Sequence, residues 1–224
     1  MLRSIYRNIK NFVSYCGARD KKIGKNVATH GSKLEGKNKI CENTVFVNSR
    51  LGRGSYMGAN CSFNAVEIGR YCSIGSNVKI ITGNHPTRDF VSTHPAFFSL
   101  SKQAGFSHVS EQRFEEQRYL DRIKNVSVSI GNDVWIGEDV IIIGGIKIND
   151  GAIIGARALV TRDIPAFAKV AGVPAKVIGK RFNDEQIEFL LKLKWWEKNE
   201  SWIIKHAPLF SNVTDFMKSV ASES

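Results

Sequence analysis

From Ile130 onward an aliphatic residue returns at every sixth position: Ile130, Ile136, Ile142, Ile148, Ile154 and Val160. Gly131, Gly137 and Gly155 directly follow three of them. A period of six matches neither the 3.6-residue repeat of an amphipathic helix nor the two-residue alternation of a half-buried strand. It matches a β-helix, in which each hexapeptide forms one short wall of a triangular coil and its aliphatic residue points into the prism. The chain therefore reads as mainly β, with a parallel β-helix as its body.

The same beat runs upstream with slips. Leu34, Ile40 and Phe46 keep step, as do Leu51, Met57 and Phe63, and then Ile68, Ile74 and Ile80; between these triplets the step is five. Early coils are thus 17 residues long (34 to 51 to 68) and later ones 18 (130 to 148), and one residue fewer at a corner leaves the stack intact. Four residues after each aliphatic, the side chain is often small or β-branched: Thr44, Ser55, Cys61, Cys72, Val78, Val134, Val140, Ala152 and Ala158. A narrow prism needs small residues beside its large ones.

A chain of 224 residues suits one domain with a modest appendage. The net charge of +11 is scattered along the repeat, with no basic run interleaved with aromatics, which argues against nucleic acid as a partner. A polyanionic small ligand and a plain solvated surface both account for it. Cys16, Cys41, Cys61 and Cys72 show no CxxC spacing, so neither a metal nor a disulfide is expected. Four unpaired thiols suit a reducing compartment, and a cytoplasmic location is the expectation. No stretch approaches the roughly 18 apolar residues of a membrane span. Arg3, Arg7 and Lys10 interrupt the apolar residues of the first 17 positions, which therefore lack the core of a secretory signal.

Residues 1–22 read as a basic amphipathic helix with Ile5, Ile9, Phe12 and Val13 on one side. Such a helix can lie on a membrane surface; the preferred reading is a cap over the open end of the column, where bare strand edges invite aggregation. Residues 23–170 form the β-helix, interrupted by an excursion loop over 82–127. Loops of that length inside a compact domain are usually functional or disordered, and this one holds His85, Phe90, His94, Phe97, Phe98 and Phe106, too many aromatics for disorder. Its charged part, Ser110 to Arg122, has the composition of a helix. Ala171-Gly172-Val173-Pro174-Ala175 is a turn out of the prism, and residues 171–224 form a C-terminal helical tail. Within it a helix spans 183–195 with Asn183 as N-cap, a second covers about Glu200 to Lys205, and the last dozen residues read as loose.

The loop opens with Gly83-Asn84-His85-Pro86. Imidazole exchanges a proton near neutral pH, so a histidine where a rigid scaffold meets a flexible cover can act as a general base; it can equally serve only to bond the loop root. His94, in Val91-Ser92-Thr93-His94-Pro95, is the competing candidate, His108 a weaker one, and His30 and His206 have no supporting context. There is no GxSxG elbow, HExxH or P-loop. Asp133, Glu138, Asp139 and Asp150 fall at coil corners and read as solvated turn residues. The pattern favours one general base over a nucleophile with an orienting partner.

Gly83-Asn84-His85-Pro86, then IGNDVWIGEDVIIIGGIKINDGAIIGARALVTRDIP (130–165), AGVPAKVIGKRF (171–182) and LLKLKWW (190–196), resembles the hexapeptide-repeat acetyltransferases. The paired Trp195-Trp196 resembles their xenobiotic branch, and the loop text NHPTRDFVSTHPAFFS resembles sugar O-acetyltransferases of surface-polysaccharide synthesis. The likeness covers about residues 23–205. It implies a left-handed parallel β-helix, a homotrimer with sites at the subunit junctions, and acetyl-CoA, with its three phosphate groups, as co-substrate. It gives His85 the role of catalytic base and sets Trp135 and Glu138 at the thioester end. Gly144 and Gly145 would admit the pantetheine arm, Ala156, Thr161 and Arg162 would line it, and Lys176 and Lys180 would meet the phosphates, where the family often has arginine. Asn84, Phe90, His94 and Phe97 are the expected acceptor contacts, phenyl rings stacking on a sugar face. The expected acceptor is a saccharide hydroxyl. The alternatives are an antibiotic hydroxyl, a sugar-nucleotide amine, and a silent β-helix used as a scaffold.

Overall fold

The computed structural model describes residues 22–222. The helix expected over 1–22 lies outside the described residues except for Lys22, as does Cys16. Short strands stack into three sheets that wall a prism. The first sheet takes, in spatial order, Lys22–Ile23, Lys39–Ile40, Tyr56–Met57, Ser73–Ile74, Trp135–Ile136, Ile153–Ile154, Ala168–Ala171 and Lys176–Lys180. The second takes Val45–Val47, Ser62–Asn64, Lys79–Ile81, Ile141–Ile143 and Leu159–Val160; the third takes Lys33–Leu34, Arg50–Leu51, Val66–Ile68, Val128–Ile130 and Ile146–Ile148. All pairings within these sheets are parallel except that of the two final strands of the first sheet.

The six-residue beat becomes three ladders. Ile40, Met57, Ile74, Ile136 and Ile154 stack inside the first sheet, Phe46 on Phe63 and Ile80 on Ile142 and Val160 inside the second, and Leu34, Leu51, Ile68, Ile130 and Ile148 inside the third. All are buried except Ile80, which is half-buried at the coil from which the long excursion leaves. Stacking identical positions places each aliphatic side chain on its neighbours in the coils above and below, which is how a quasi-linear core is built.

The small positions are buried without exception, and they differ between the two coil lengths. In the coils up to Ile80 all but Val78 carry polar hydrogens: Asn38 Nδ2 donates to the Gly52 carbonyl (2.8 Å), Ser55 Oγ to Gly69 (2.7 Å), and the Cys61 and Cys72 thiols to Gly75 (3.3 Å) and Gly131 (3.1 Å). The amide of the next coil in turn donates to the hydroxyl, as Cys72 N does to Ser55 Oγ (2.9 Å). In the 18-residue coils the position is Val134, Val140, Ala152 or Ala158, without polar atoms in its side chain. Burial pushes the Cys61 thiol up to about 11 and the Cys72 thiol up to about 12, so both are inert packing residues.

The excursion leaves after Ile81 and returns at Val128 with the stacking register intact, Ile130 lying on Ile68. Its root is a short antiparallel closure: Arg118 N donates to the Thr82 carbonyl, and Asn84 N to that of Glu116, both at 2.8 Å. Ser127, buried, donates its hydroxyl to the Asn64 (2.7 Å) and Ala65 (2.9 Å) carbonyls and so pins the return. Residues 110–122 contain no helix, contrary to expectation. They hold bends and two isolated bridges, because Phe114 is drawn into an aromatic cluster and the Gln117 region into the root pairing.

Among the described residues the tail holds three helices, α1 (Asp184–Leu193), α2 (Glu200–His206) and α3 (Val213–Ala221). Asn183 and Gln186 form a reciprocal capping box at the start of α1. Two expectations are corrected. The last dozen residues are not loose: Asn212 caps α3, and Phe216 and Val220, four residues apart, bury one face of it. The turn at Gly172 does not simply leave the prism: Lys176–Lys180 folds back as an antiparallel strand that covers the end of the first sheet.

Candidate active site

Along each coil the chain passes from the third sheet to the first, to the second, and back. The excursion with His85 therefore leaves at the corner between the second and third sheets. Gly144, Gly145, Thr161 and Arg162 lie on that corner, one or two coils onward. Trp135 faces outward from the first sheet, 55% exposed, and Glu138 and Ala156 sit on the corner between the first and second sheets, both exposed. The residues expected to share one site thus occupy two corners of a single prism, separated by the second sheet. Among the described residues no hydrogen bond or ring contact joins His85 to Trp135 or Glu138.

The two candidate histidines differ in how their nitrogens are used. His85 Nδ1 lies 2.8 Å from the Thr93 carbonyl oxygen. A carbonyl only accepts, so Nδ1 carries the proton in the neutral ring and Nε2 keeps a free lone pair. The ring is held edge-on against buried Phe98, centroids 5.8 Å apart. His94 is arranged the other way: its Nδ1 accepts from Ala96 N at 3.2 Å, capping the short 3-10 turn Pro95–Phe97. Its lone pair is spent on the backbone and the neutral ring carries its proton on Nε2. The tautomers make His85 the group able to receive a proton.

The Glu116 carboxyl lies close enough to His85 to feel its charge. Burial pushes its carboxyl up, but donors from Ser99, Gln112 and Gln103, together with the charge of His85, outweigh this and hold it below its usual value. Gln112 Nε2 donates to it at 2.6 Å. Asn84 Oδ1 accepts from Arg118 Nη2 at 2.8 Å, so this expected acceptor contact is committed to the loop root.

The loop aromatics fall into two groups. Phe90, Phe98 and Phe114 pack edge to face, centroids 5.5–6.1 Å apart, as the loop's own core. Phe97 and Phe106, each 48% exposed, surround His94 and His108 at 5.1–6.2 Å and form an outward patch. Phe97 and His94 are in that patch as expected; Phe90 belongs to the inner group. The sequence reading named Phe106 and His108 without placing them beside His94, and it missed Glu116, because only the folded loop brings positions 85–98 back against 106–116.

Gly144 is tighter than the resemblance implied. A Cβ there would stand 2.7 Å from the Arg118 carbonyl oxygen, so the missing side chain admits the loop's return segment. Gly145, at φ +86°, lines an open depression of about 390 Å³ together with Asn84, Arg118 and Tyr119. Lys176 and Lys180 sit on the last strand of the first sheet; the Lys180 ammonium is paired with Asp184 in the first turn of α1. Of the corner acids, Asp133 is not a solvated turn residue: Arg181 Nη1 pairs with its carboxylate at 2.9 Å and also donates to the Gly151 carbonyl at 2.9 Å. Burial raises the Asp133 carboxyl, and the Arg181 charge only partly offsets it. Asp139 pairs with Arg157 (3.4 Å) and Asp150 accepts from the Asn132 backbone (2.6 Å), so these too are corner fasteners.

Residues 127–162 match the family described as bacterial transferase hexapeptide (six repeats). A chloramphenicol acetyltransferase of Agrobacterium fabrum is 47% identical over 131 residues, which are 58% of this chain and 58% of that protein. The chain thus matches little more than half the length of that relative. A probable macrolide acetyltransferase of Lysinibacillus sphaericus is 40% identical over 130 residues, 58% of this chain and 67% of that protein. The galactoside O-acetyltransferase of Escherichia coli K12 is 32% identical over 146 residues, 65% of this chain and 60% of that protein. Its stacked six-residue coils and its likeness to these proteins place the chain in the hexapeptide-repeat acetyltransferase family.

Proposed function

We propose that the protein transfers an acetyl group from acetyl-CoA to a hydroxyl group, with His85 as general base. The observation that carries this reading is the hydrogen bond from His85 Nδ1 to the Thr93 carbonyl, which leaves Nε2 as the proton acceptor. The acceptor oxygen bonds to the thioester carbonyl carbon while its proton moves to Nε2. The carbon–sulfur bond then breaks, and the imidazolium returns the proton to the departing thiolate. The Glu116 carboxylate, ionised at neutral pH, favours the transient imidazolium.

A single prism does not gather the whole set. The His85 corner of one copy meets the Trp135, Glu138 and Ala156 corner of another in a cyclic homotrimer, the arrangement the family resemblance implies. The second sheet supports this: in its later coils the outward face carries Ile81, more than 40% exposed, with Ile141, Ile143 and Leu159 half-buried beside it, while Ser62 and Lys79 occupy the same ladder toward Val45. An exposed apolar patch such as Ile81, Ile141, Ile143 and Leu159 is the kind of surface that marks a contact face. Across that junction Trp135 and Glu138 hold the thioester end of the donor, with Ala156, Gly145, Thr161 and Arg162 along its arm and Lys176 at its phosphates.

The acceptor is a saccharide hydroxyl in the first reading. The exposed rings of Phe97 and Phe106 beside His94 offer the flat apolar surface that a sugar ring stacks on. A second reading, an antibiotic hydroxyl, is favoured by the higher identity to the chloramphenicol acetyltransferase of Agrobacterium fabrum than to the galactoside enzyme. Thiol release from acetyl-CoA, measured against panels of oligosaccharides, nucleotide sugars and antibiotics, separates the two. Turnover only on amphenicols or macrolides overturns the saccharide reading, and failure of the protein to bind acetyl-CoA by calorimetry overturns acetyl transfer altogether.

A further inference from the structure

At the corner between the third and first sheets the tail does not close fully on the column. A cavity of about 180 Å³ lies between them. Its walls are mainly rings: Phe167 of the column, Phe182 just before α1, and Trp195, Phe210 and Phe216 of the tail. Phe210 is 41% exposed, so the cavity is reached from solvent on that side. The rings are braced elsewhere and do not fold inward to fill the space. Phe167 faces Gly151, where even a Cβ would meet it at 2.4 Å. Trp195 rests on Tyr71 and on Phe210, with centroids 5.0 Å apart in both pairs. Phe216 packs on Phe210 (5.0 Å) and Trp202 (6.2 Å). Close-packed interiors leave few voids larger than a water molecule, and an apolar space of about 150 Å³ is enough to admit a benzene ring.

The polar members of the wall are Asp133 and Arg181. The Arg181 guanidinium lies over the Phe167 and Phe182 rings, 5.4 and 5.1 Å from their centroids. Its hydrogen bonds to protein all leave from Nη1: to the Asp133 carboxylate and the Gly151 carbonyl, both at 2.9 Å, and to the Asp133 carbonyl at 3.3 Å. Among the described residues Nε and Nη2 have no protein acceptor, so the N–H groups they carry remain to be used. The Asp133 carboxylate cancels the guanidinium charge. The cavity therefore offers hydrogen-bond donors beside aromatic walls, without net charge.

We propose that this cavity binds a small neutral molecule built on one aromatic ring and bearing a carbonyl group. The ring packs among the phenyl and indole walls, and the carbonyl oxygen accepts from Arg181 Nε or Nη2. A carboxylate in the same place would face Asp133 and lose to repulsion what it gains from the arginine. The site lies on a different corner from His85 and from Glu138, so this binding and acetyl transfer stand or fall separately.

Acetophenone is the probe. Methyl NMR of the full chain follows Leu190 and Val213, which also line the cavity. Their signals should shift along one saturation curve with a Kd below about 1 mM. Ethylbenzene, of similar shape without the carbonyl oxygen, should bind roughly tenfold more weakly, the scale of one hydrogen bond to a charged group, and benzoate no better than ethylbenzene. Val213→Phe, which puts a ring into the space, should abolish the saturable shift at Leu190; Val213→Leu, a smaller insertion, weakens binding severalfold and serves where the larger ring disturbs α3. Shifts that do not saturate, saturable shifts confined to other methyl groups, undiminished binding in both variants, or equal affinities for acetophenone and ethylbenzene overturn the proposal.

Discussion

Replacing His85 by alanine tests the catalytic assignment, and the structure lets its two consequences be separated. Loss of a general base lowers kcat by about 10²–10⁴-fold, equivalent to about 2.7–5.4 kcal/mol of barrier. The structural cost is smaller. His85 is exposed and gives up one hydrogen bond to the Thr93 carbonyl, about 0.5–1.5 kcal/mol, and one edge-on contact with Phe98, a similar amount. Both losses fall on the excursion, whose aromatic core is separate from the prism. The companion variant His94→Ala removes an acceptor for the Ala96 amide at about 1 kcal/mol but no proton-accepting lone pair aimed outward. Initial-rate measurements of thiol release at saturating acetyl-CoA should give a loss of at least a hundredfold for His85→Ala, partly rescued by added imidazole, and less than tenfold for His94→Ala. Circular dichroism should report the same β content for both. The reverse order of the two losses, or wild-type turnover in His85→Gln, refutes the tautomer argument.

Three further outcomes concern the scaffold. Asn38→Ala should cost about 2–4 kcal/mol in urea unfolding, because the buried amide serves the Gly52 and Ser55 carbonyls and the Gly36 amide at once; a loss under 1 kcal/mol contradicts this. Gly151→Ala should cost more than about 2 kcal/mol, since it puts a Cβ 2.4 Å from the buried Phe167 ring at φ +70°, whereas Gly105→Ala, at φ +87° in open space, should cost only the conformational part of about 1 kcal/mol; equal losses would remove the steric argument. Burial pushes the Glu35 carboxyl up, but hydrogen bonds from Arg50, Arg70 and the Arg53 amide prevail and bring it from its ordinary 4.5 down to about 2. A depressed carboxyl stabilises the fold above its unfolded value and loses that contribution as pH falls, so wild type and Glu35→Gln should converge in stability between pH 4.5 and 2; a gap that persists at pH 2 argues against it.

The excursion shows where reading from sequence stops. Its boundaries at 82 and 127 were legible because the six-residue beat breaks after Ile80 and resumes at Val128–Ile130. Its interior was not: a charged stretch such as Ser110–Arg122 has helical composition, yet its backbone pairs with Thr82–Asn84 and its Phe114 packs on Phe90 and Phe98. Local propensity has no access to partners 30 residues away. The helix at Val213–Ala221 was missed for the opposite reason, since its signal is only one buried pair, Phe216 and Val220, on a helix of nine residues.

The repeat alone determined the column, its three inward ladders, the small buried positions and the place of His85 at a loop root, because a strict period fixes which side chains must face one another in a stack. Only the tertiary structure decided which imidazole nitrogen is free, that Gly144 serves the loop's return, and that Asp133 answers to Arg181. Those outcomes depend on carbonyls, hairpin register and corners brought together from distant parts of the chain, and no local pattern of residues encodes such meetings.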